Sequence, residues 1–494
     1  MQKKELISEK LKMARNYEEE VLLKADLAPK QAFHVCAPVG WLNDPNGFSL
    51  YNGEYHLFFQ YHPYSVVWGP MHWGHVKTKD FIKWEQLACA LAPDTEYDGQ
   101  GCFSGSAVEW NGKHVLVYTG VIDKIESDGT HSICQTQCVA IGDGNNYEKN
   151  LQNPVITPDS LPEGSSLADF RDSKAWVDGD YIYTVVGSRA KDGSGQIPLY
   201  RTKDLENWEF ISIIDSCNNE YGKMWECPDF FPLNGKQVLI ISPQEVQAAN
   251  TEFHNGNNTA CFIGNYDTEL HKFTREKVQT IDYGLDFYAP QTVETEDGRR
   301  IMIGWLQSWD NHLFPHKFGW SGMMSIPREL RIEKGRLCQV PIKEIANYYT
   351  DSVSYTNLSV QNVMKLDGVC GRYNDLNVHI HGGDYKVFRI QLACGGGKYT
   401  SLIYDKEKNT FTMDREFSGL TKDVISTRTI KIIENQESIK IRVVMDHYSV
   451  EVFINDGQQV LSMLIFTDIE ADGIEFVSEG CAVVDIERHE IAIR

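Results

Sequence analysis

Five times along the chain, a short run of β-forming residues follows an Asn-Gly or Asp-Gly pair. YHLFFQY (55–61) follows Asn52-Gly53, HVLVYTG (114–120) follows Asn111-Gly112, and YIYTVVGS (181–188) follows Asp178-Gly179. KQVLIIS (236–242) follows Asn234-Gly235, and RIMIGWL (300–306) follows Asp297-Gly298. These dipeptides suit the two-residue turn between antiparallel strands, so the pattern predicts five β-hairpins. The turn glycines lie 59, 67, 56 and 63 residues apart. A repeat of that size, built of strands and turns, is a propeller blade of four strands with generous loops.

A second echo keeps the same phase. TKDFIKWE (78–85) recurs as TKDLENWE (202–209), two repeat lengths later, and both read as outer parts of blades whose tryptophans pack between strands. Beyond residue 352 the segment 439–466 alternates apolar and polar residues around Asn455-Asp456-Gly457, which predicts a β-sandwich. At the other end Leu6, Leu11 and Ala14 recur at helical spacing, predicting an amphipathic helix over 3–24. The expected fold is therefore all-β: a helical leader (1–33), a five-bladed β-propeller (34–335), a linker (336–352) and a C-terminal β-sandwich (353–494).

The start of each blade's first strand carries the candidate chemistry. Just upstream of the five turns stand Asn43-Asp44, Phe103-Ser104, Arg171-Asp172, Glu226-Cys227 and Asp286-Phe287-Tyr288. Arranged radially, these stations meet at one end of the propeller axis and bring three carboxylates, an arginine and a hydroxyl together. Two close carboxylates, one ionised and one protonated, are equipment for cleaving a glycosidic bond. Glu226 suits the proton donor, since apolar surroundings and neighbouring negative charge would hold a proton on it. Asp44 suits the nucleophile, kept ionised by Asn43 and Arg171. Asp172 suits hydrogen bonding to sugar hydroxyls. No metal cluster, phosphate-cradling loop or cofactor fingerprint is present in the sequence.

Composition narrows the partners. The net charge of −22 repels nucleic acid and anionic membrane, and 42% hydrophobic with 23% charged residues is ordinary for a globular protein. The amino terminus has no unbroken apolar run of signal-peptide type and no segment reaches membrane-span length, so a cytoplasmic protein is expected. The 12 cysteines are scattered singly, and Cys134 and Cys138 fit no usual zinc spacing, so reduced thiols are expected.

WLNDPNG (41–47), FFQYHP (58–63), WGPMHWGH (68–75), FSGSA (103–107), FRDSK (170–174), WECPD (225–229), DFYAPQ (286–291) and GWSGMMSIPREL (319–330) together resemble glycoside hydrolase family 32, the invertase and sucrose-6-phosphate hydrolase group. The resemblance covers about 34–335 and continues more weakly to the end. It implies a propeller followed by a β-sandwich, retaining chemistry, Asp44 as nucleophile, Glu226 as general acid/base and Asp172 as transition-state stabiliser. It further implies a fructose pocket shaped by Asn43, Gln60, Trp68, Phe103, Ser104, Arg171 and Tyr288. One departure is Ser173, where the family usually has proline, and a looser Asp172 loop is expected from it.

Three functions remain on sequence grounds: release of β-fructofuranosyl units from sucrose or sucrose 6-phosphate, exo-acting cleavage of short fructo-oligosaccharides, and non-catalytic sugar binding. Lys191, Lys223 and Lys317 are candidates for phosphate recognition at the rim, with solvated surface charge the favoured reading of each, and a homodimer is an open alternative.

Overall fold

The computed structural model describes residues 7–125, 128–311, 313–433 and 437–493. All five expected turns join the first and second strands of four-stranded antiparallel blades. The first strands, which line the axis, are Gly40–Tyr51, Phe170–Asp178 and Trp225–Leu233 in blades I, III and IV, with Gly101–Trp110 in blade II and Tyr288–Glu294 in blade V. The ring closes through Trp320–Ser321, a piece of blade V that pairs in parallel with Gly40 and Trp41 of blade I. The TKD echo is two copies of one turn. In both, the threonine hydroxyl accepts backbone N–H groups, and the tryptophan Nε1 donates to a carbonyl three residues back, at 3.1 Å for Trp84 and 3.3 Å for Trp208.

Every first strand carries a β-bulge at the same height. Register slips between Leu42 and Pro45, Phe103 and Gly105, Arg171 and Lys174, Glu226 and Asp229, and Tyr288 and Gln291. A bulge leaves a residue outside the ladder and re-aims its neighbours. The re-aimed residues include Asp44, Ser104, Asp172 and Cys227. Asp172, Cys227 and Ala289 sit at φ of 65°, 47° and 51°, in the left-handed region that L-residues occupy only where their surroundings hold them.

The helix runs Glu9–Lys24, with Ser8 Oγ accepting from Leu11 N at 3.2 Å as its cap. The first part of the expected stretch, residues 3–6 with Leu6, lies outside the described residues. Leu11, Ala14 and Glu18 form the buried face of the helix, and Arg15 Nε donates to Cys89 O of blade I at 2.8 Å.

The expected linker is structured. Arg336–Pro341 is the outermost strand of blade V, paired with Arg328–Glu333, and a short 3-10 helix (Lys343–Tyr348) leads directly into the next sheet. That nine-stranded sheet contains three long strands, Tyr349–Met364, Asn374–Gly395 and Gly473–Ile491. Asn374–Gly395 pairs with Ile439–Asp446 in its first half and with Lys398–Asp405 in its second, so the sheet folds over a single apolar core.

The two domains share buried charge. Residue His34 bridges Asp446 (2.7 Å) and Glu451 (2.9 Å), and Arg328 bridges Asp282 (2.9 Å) and Glu451 (2.5 Å), all without solvent exposure. The 12 cysteines are all free thiols.

Candidate active site

The bulges bring residues of four blades to one mouth of the axis. There a cavity of about 480 Å³ is lined by Asn43, Asp44, Gln60, Trp68, Phe103, Ser104, Arg171, Asp172 and Glu226. Of the ten residues expected to catalyse or to shape the pocket, nine line it. The tenth, Tyr288, lies behind Glu226, fully buried, and reaches the site through its hydroxyl.

Asp44 Oδ1 accepts from Asn43 Nδ2 at 3.0 Å and Oδ2 from Ser104 Oγ at 2.8 Å; Trp41 Nε1 holds the Asn43 amide at 2.8 Å. Arg171 is not its partner, contrary to expectation. Burial first, then the charge of Glu226, pushes the Asp44 carboxyl up to about 6, against the pull of its two donors.

Glu226 is surrounded by donors rather than by the expected apolar groups. Arg171 Nε donates to Oε1 at 2.9 Å, while Gln244 Nε2 (3.0 Å) and Tyr288 Oη (2.7 Å) donate to Oε2. Burial drives the Tyr288 phenol well above its ordinary value, so it stays a donor across the working pH range. Arg171 also donates to Asp169 (3.0 Å) and Gln135 (3.2 Å).

Asp172 Oδ2 accepts from Cys227 N at 3.1 Å, and its own N–H donates to Thr119 Oγ1 at 3.0 Å. Burial raises its carboxyl; Arg171 opposes the rise, while Glu226 and Asp44 add to it. The Cys227 thiol lies 3.7 Å from Asp44 Oδ2 and 3.6 Å from Asp172 Oδ2, tying the two carboxylates to one sulfur. The loop expected to loosen at Ser173 is fastened instead: the serine is fully buried, and its Oγ donates to Val117 O at 3.1 Å.

Two other groups lie away from the cavity. Asp286 does not face the cavity; it is buried against the C-terminal sheet and ion-paired with Arg415. None of Lys191, Lys223 and Lys317 lines the cavity. Lys223 pairs with Glu245 at 2.6 Å, and Lys317 lines a separate cavity with Phe318 and Tyr448.

Among the described residues lining the cavity, Arg189 is the cation besides Arg171, and it is ion-paired with Asp169. Asp169, Arg189, Gln135, Gln244 and Trp309 were not singled out in the sequence. Asp169 stands two residues before Arg171, the one local signal available. The others lie on or beyond second and third strands, where the repeat marks no station.

Converging carboxylates in a sugar-sized cavity on a five-bladed propeller define a glycoside hydrolase. The chain belongs to glycosyl hydrolases family 32, whose N-terminal domain model matches residues 34–341 and whose C-terminal model matches 344–492. It is a hydrolase of the β-fructofuranosidase type. A sucrose-6-phosphate hydrolase of Zymomonas mobilis is 35% identical, over 94% of each chain. A raffinose invertase of Escherichia coli is 34% identical over 92% of this chain and 93% of its own. The solved β-fructofuranosidase of Bombyx mori superposes with a TM-score of 0.85 at 33% identity, over 97% of this chain and 98% of that one. A variant of that enzyme was solved in complex with sucrose.

Proposed function

We propose that the protein is a cytoplasmic retaining β-fructofuranosidase acting on sucrose or sucrose 6-phosphate by double displacement. Asp44 attacks the anomeric carbon of the fructosyl unit while Glu226 gives its proton to the departing glucosyl oxygen. Glu226 then takes a proton from water, whose oxygen displaces Asp44 and releases fructose. Asp172 accepts hydrogen bonds from fructosyl hydroxyls. Asn43, Gln60, Phe103, Ser104 and Arg171 shape the pocket, with Trp68 at its rim.

The observation that carries this reading is the contrast between the two acids on one cavity. Among the described residues Asp44 is held by neutral donors, with no cation paired to the carboxylate that must attack, whereas Glu226 sits in a fork of three donors, the Arg171 guanidinium among them, that fixes its position and favours the carboxylate left once its proton is given up.

The relatives' names favour the phosphorylated sugar. The cavity itself favours neutral ones, because its carboxylates (Asp44, Asp169, Asp172, Glu226) outnumber its guanidiniums (Arg171, Arg189), and both guanidiniums already hold carboxylates. Plain sucrose therefore stands beside sucrose 6-phosphate in the first reading, and short fructo-oligosaccharides are the second.

The test is kcat/KM for fructose release from sucrose and sucrose 6-phosphate in one buffer. Good turnover of either sugar supports the first reading, with a strong preference naming the substrate, and faster turnover of short fructo-oligosaccharides than of both supports the second. Activity on neither, nor on short fructo-oligosaccharides, refutes both.

A further inference from the structure

None of the described residues of the C-terminal domain lines the cavity, yet its edge strand runs into the segment that launches Tyr288. Residues 283–286 pair with Gln459–Leu464: Tyr283 N donates to Val460 O and Leu285 N to Ser462 O, both at 2.8 Å. A Cβ at Gly284 would overlap the Ser462 backbone, so only glycine permits this approach.

At the end of the pairing, Asp286 Oδ2 accepts from Leu464 N at 2.8 Å and is ion-paired with Arg415. Arg415 also donates to Leu464 O (3.2 Å) and Ile425 O (3.1 Å). Both side chains are fully buried, and Asp286 Oδ1 has no hydrogen-bond partner among the described residues. Two residues on, the Tyr288 hydroxyl donates to Glu226 Oε2 at 2.7 Å and to Ser242 O at 3.1 Å.

A buried ion pair is costly to desolvate and is often no more stabilising than an apolar pair of the same size. Its value here is directional: it pins the backbone two residues before the phenol that holds Glu226.

We propose that Arg415 is a positioning residue for Glu226, acting from the C-terminal domain through Asp286 and Tyr288. The inference rests on the acid/base reading of Glu226. Removing the guanidinium leaves a buried carboxylate unpaired, so residues 285–288 rearrange and the Tyr288 hydroxyl leaves its place against Glu226. Displacing such a group by about 1 Å is enough to cost on the order of 100-fold in rate.

The leaving group separates positioning from general damage. Sucrose needs a proton from Glu226 to release its glucosyl oxygen, whereas β-D-fructofuranosyl fluoride releases fluoride without one. kcat/KM reports the step up to the first bond cleavage in both cases. Arg415→Gln is expected to lose roughly 10- to 100-fold on sucrose and less than about 3-fold on the fluoride. Equal losses on the two substrates, or no loss on sucrose, would overturn the proposal.

If Arg415→Gln does not fold, Arg415→Lys, which keeps the charge and loses the fork, takes the same comparison with a smaller split, and equal losses there are equally fatal. Glu226→Gln is the control. If it loses both substrates equally, the acid/base reading itself fails; if it splits them and the Arg415 variants do not, only this inference fails.

Discussion

Ser104 of blade II donates its hydroxyl to Asp44 Oδ2 of blade I at 2.8 Å, across the seam between two repeats. This bond and that from Asn43 lower the Asp44 carboxyl against burial, which nevertheless lifts it to about 6. Asp44 must be ionised to attack, so the acid limb of kcat/KM is expected near pH 6. Ser104→Ala removes one opposing donor and should move that limb up by roughly half a unit to one unit. A pH profile of the two proteins on sucrose decides it; an unmoved limb means another group sets it.

Asp44→Asn should lower kcat by several orders of magnitude and yet stabilise the fold at neutral pH. The ordinary value is 3.8 and the folded value about 6, so between them the folded protein binds the extra proton. Stability therefore falls as pH rises through that window, and above it the full cost of a buried charge is present. Asparagine carries no such cost. The variant should gain on the order of 2–3 kcal/mol at pH 7.5 and almost none at pH 4, read from urea unfolding. A uniform gain, or a loss at pH 7.5, would contradict the argument.

His56, His75 and His114 should make the protein acid-labile. The three buried rings form a cluster between blades I and II, with His56 Nδ1 2.9 Å from His75 Nε2 and His114 Nε2 2.9 Å from Ser49 Oγ. Burial lowers His56 to about 4 and His114 to about 3, and takes His75 well below its ordinary 6.5. The unfolded chain thus binds protons that the folded one refuses, and each ring removes up to about 1.4 kcal/mol per pH unit as pH falls below 6.5. His34 acts oppositely. Burial disfavours its charge, but bonds to Asp446 and Glu451 raise it to about 9, so its contribution is complete below 6.5 and lost as pH rises through 9. Tm measured from pH 4.5 to 7.5 should climb steeply, and His114→Asn should flatten the climb.

Trp68 stands at the rim, 46% exposed, edge-on to Phe103 with ring centroids 5.8 Å apart. An exposed aromatic at a sugar cavity contributes binding rather than chemistry. Trp68→Ala should raise KM for sucrose roughly 10-fold with kcat within about a factor of two. A kcat loss with unchanged KM would place the ring in the transition state instead.

Much of this was legible in the chain. The Asn-Gly and Asp-Gly turns, the run after each and the station before each depend on residues within about ten positions of one another, and turn chemistry with strand propensity acts over that range. Asp44, Ser104, Asp172 and Glu226 could therefore be placed at one mouth by counting alone.

Other features were decided only by tertiary structure. Whether Asp286 turns to the axis or to Arg415, 129 residues away, depends on which surface buries it. Whether 336–341 links domains or completes blade V depends on the free edge left by Arg328–Glu333. The long-range partner of Arg171 was equally undetermined: besides Asp169, two residues away, its guanidinium takes Glu226 of the next blade, which only folding brings within reach. Sequence settles what its neighbours along the chain can force. Pairing of buried charges and strand edges is set by contacts across the fold, where an unpaired group costs most and no local pattern records its partner.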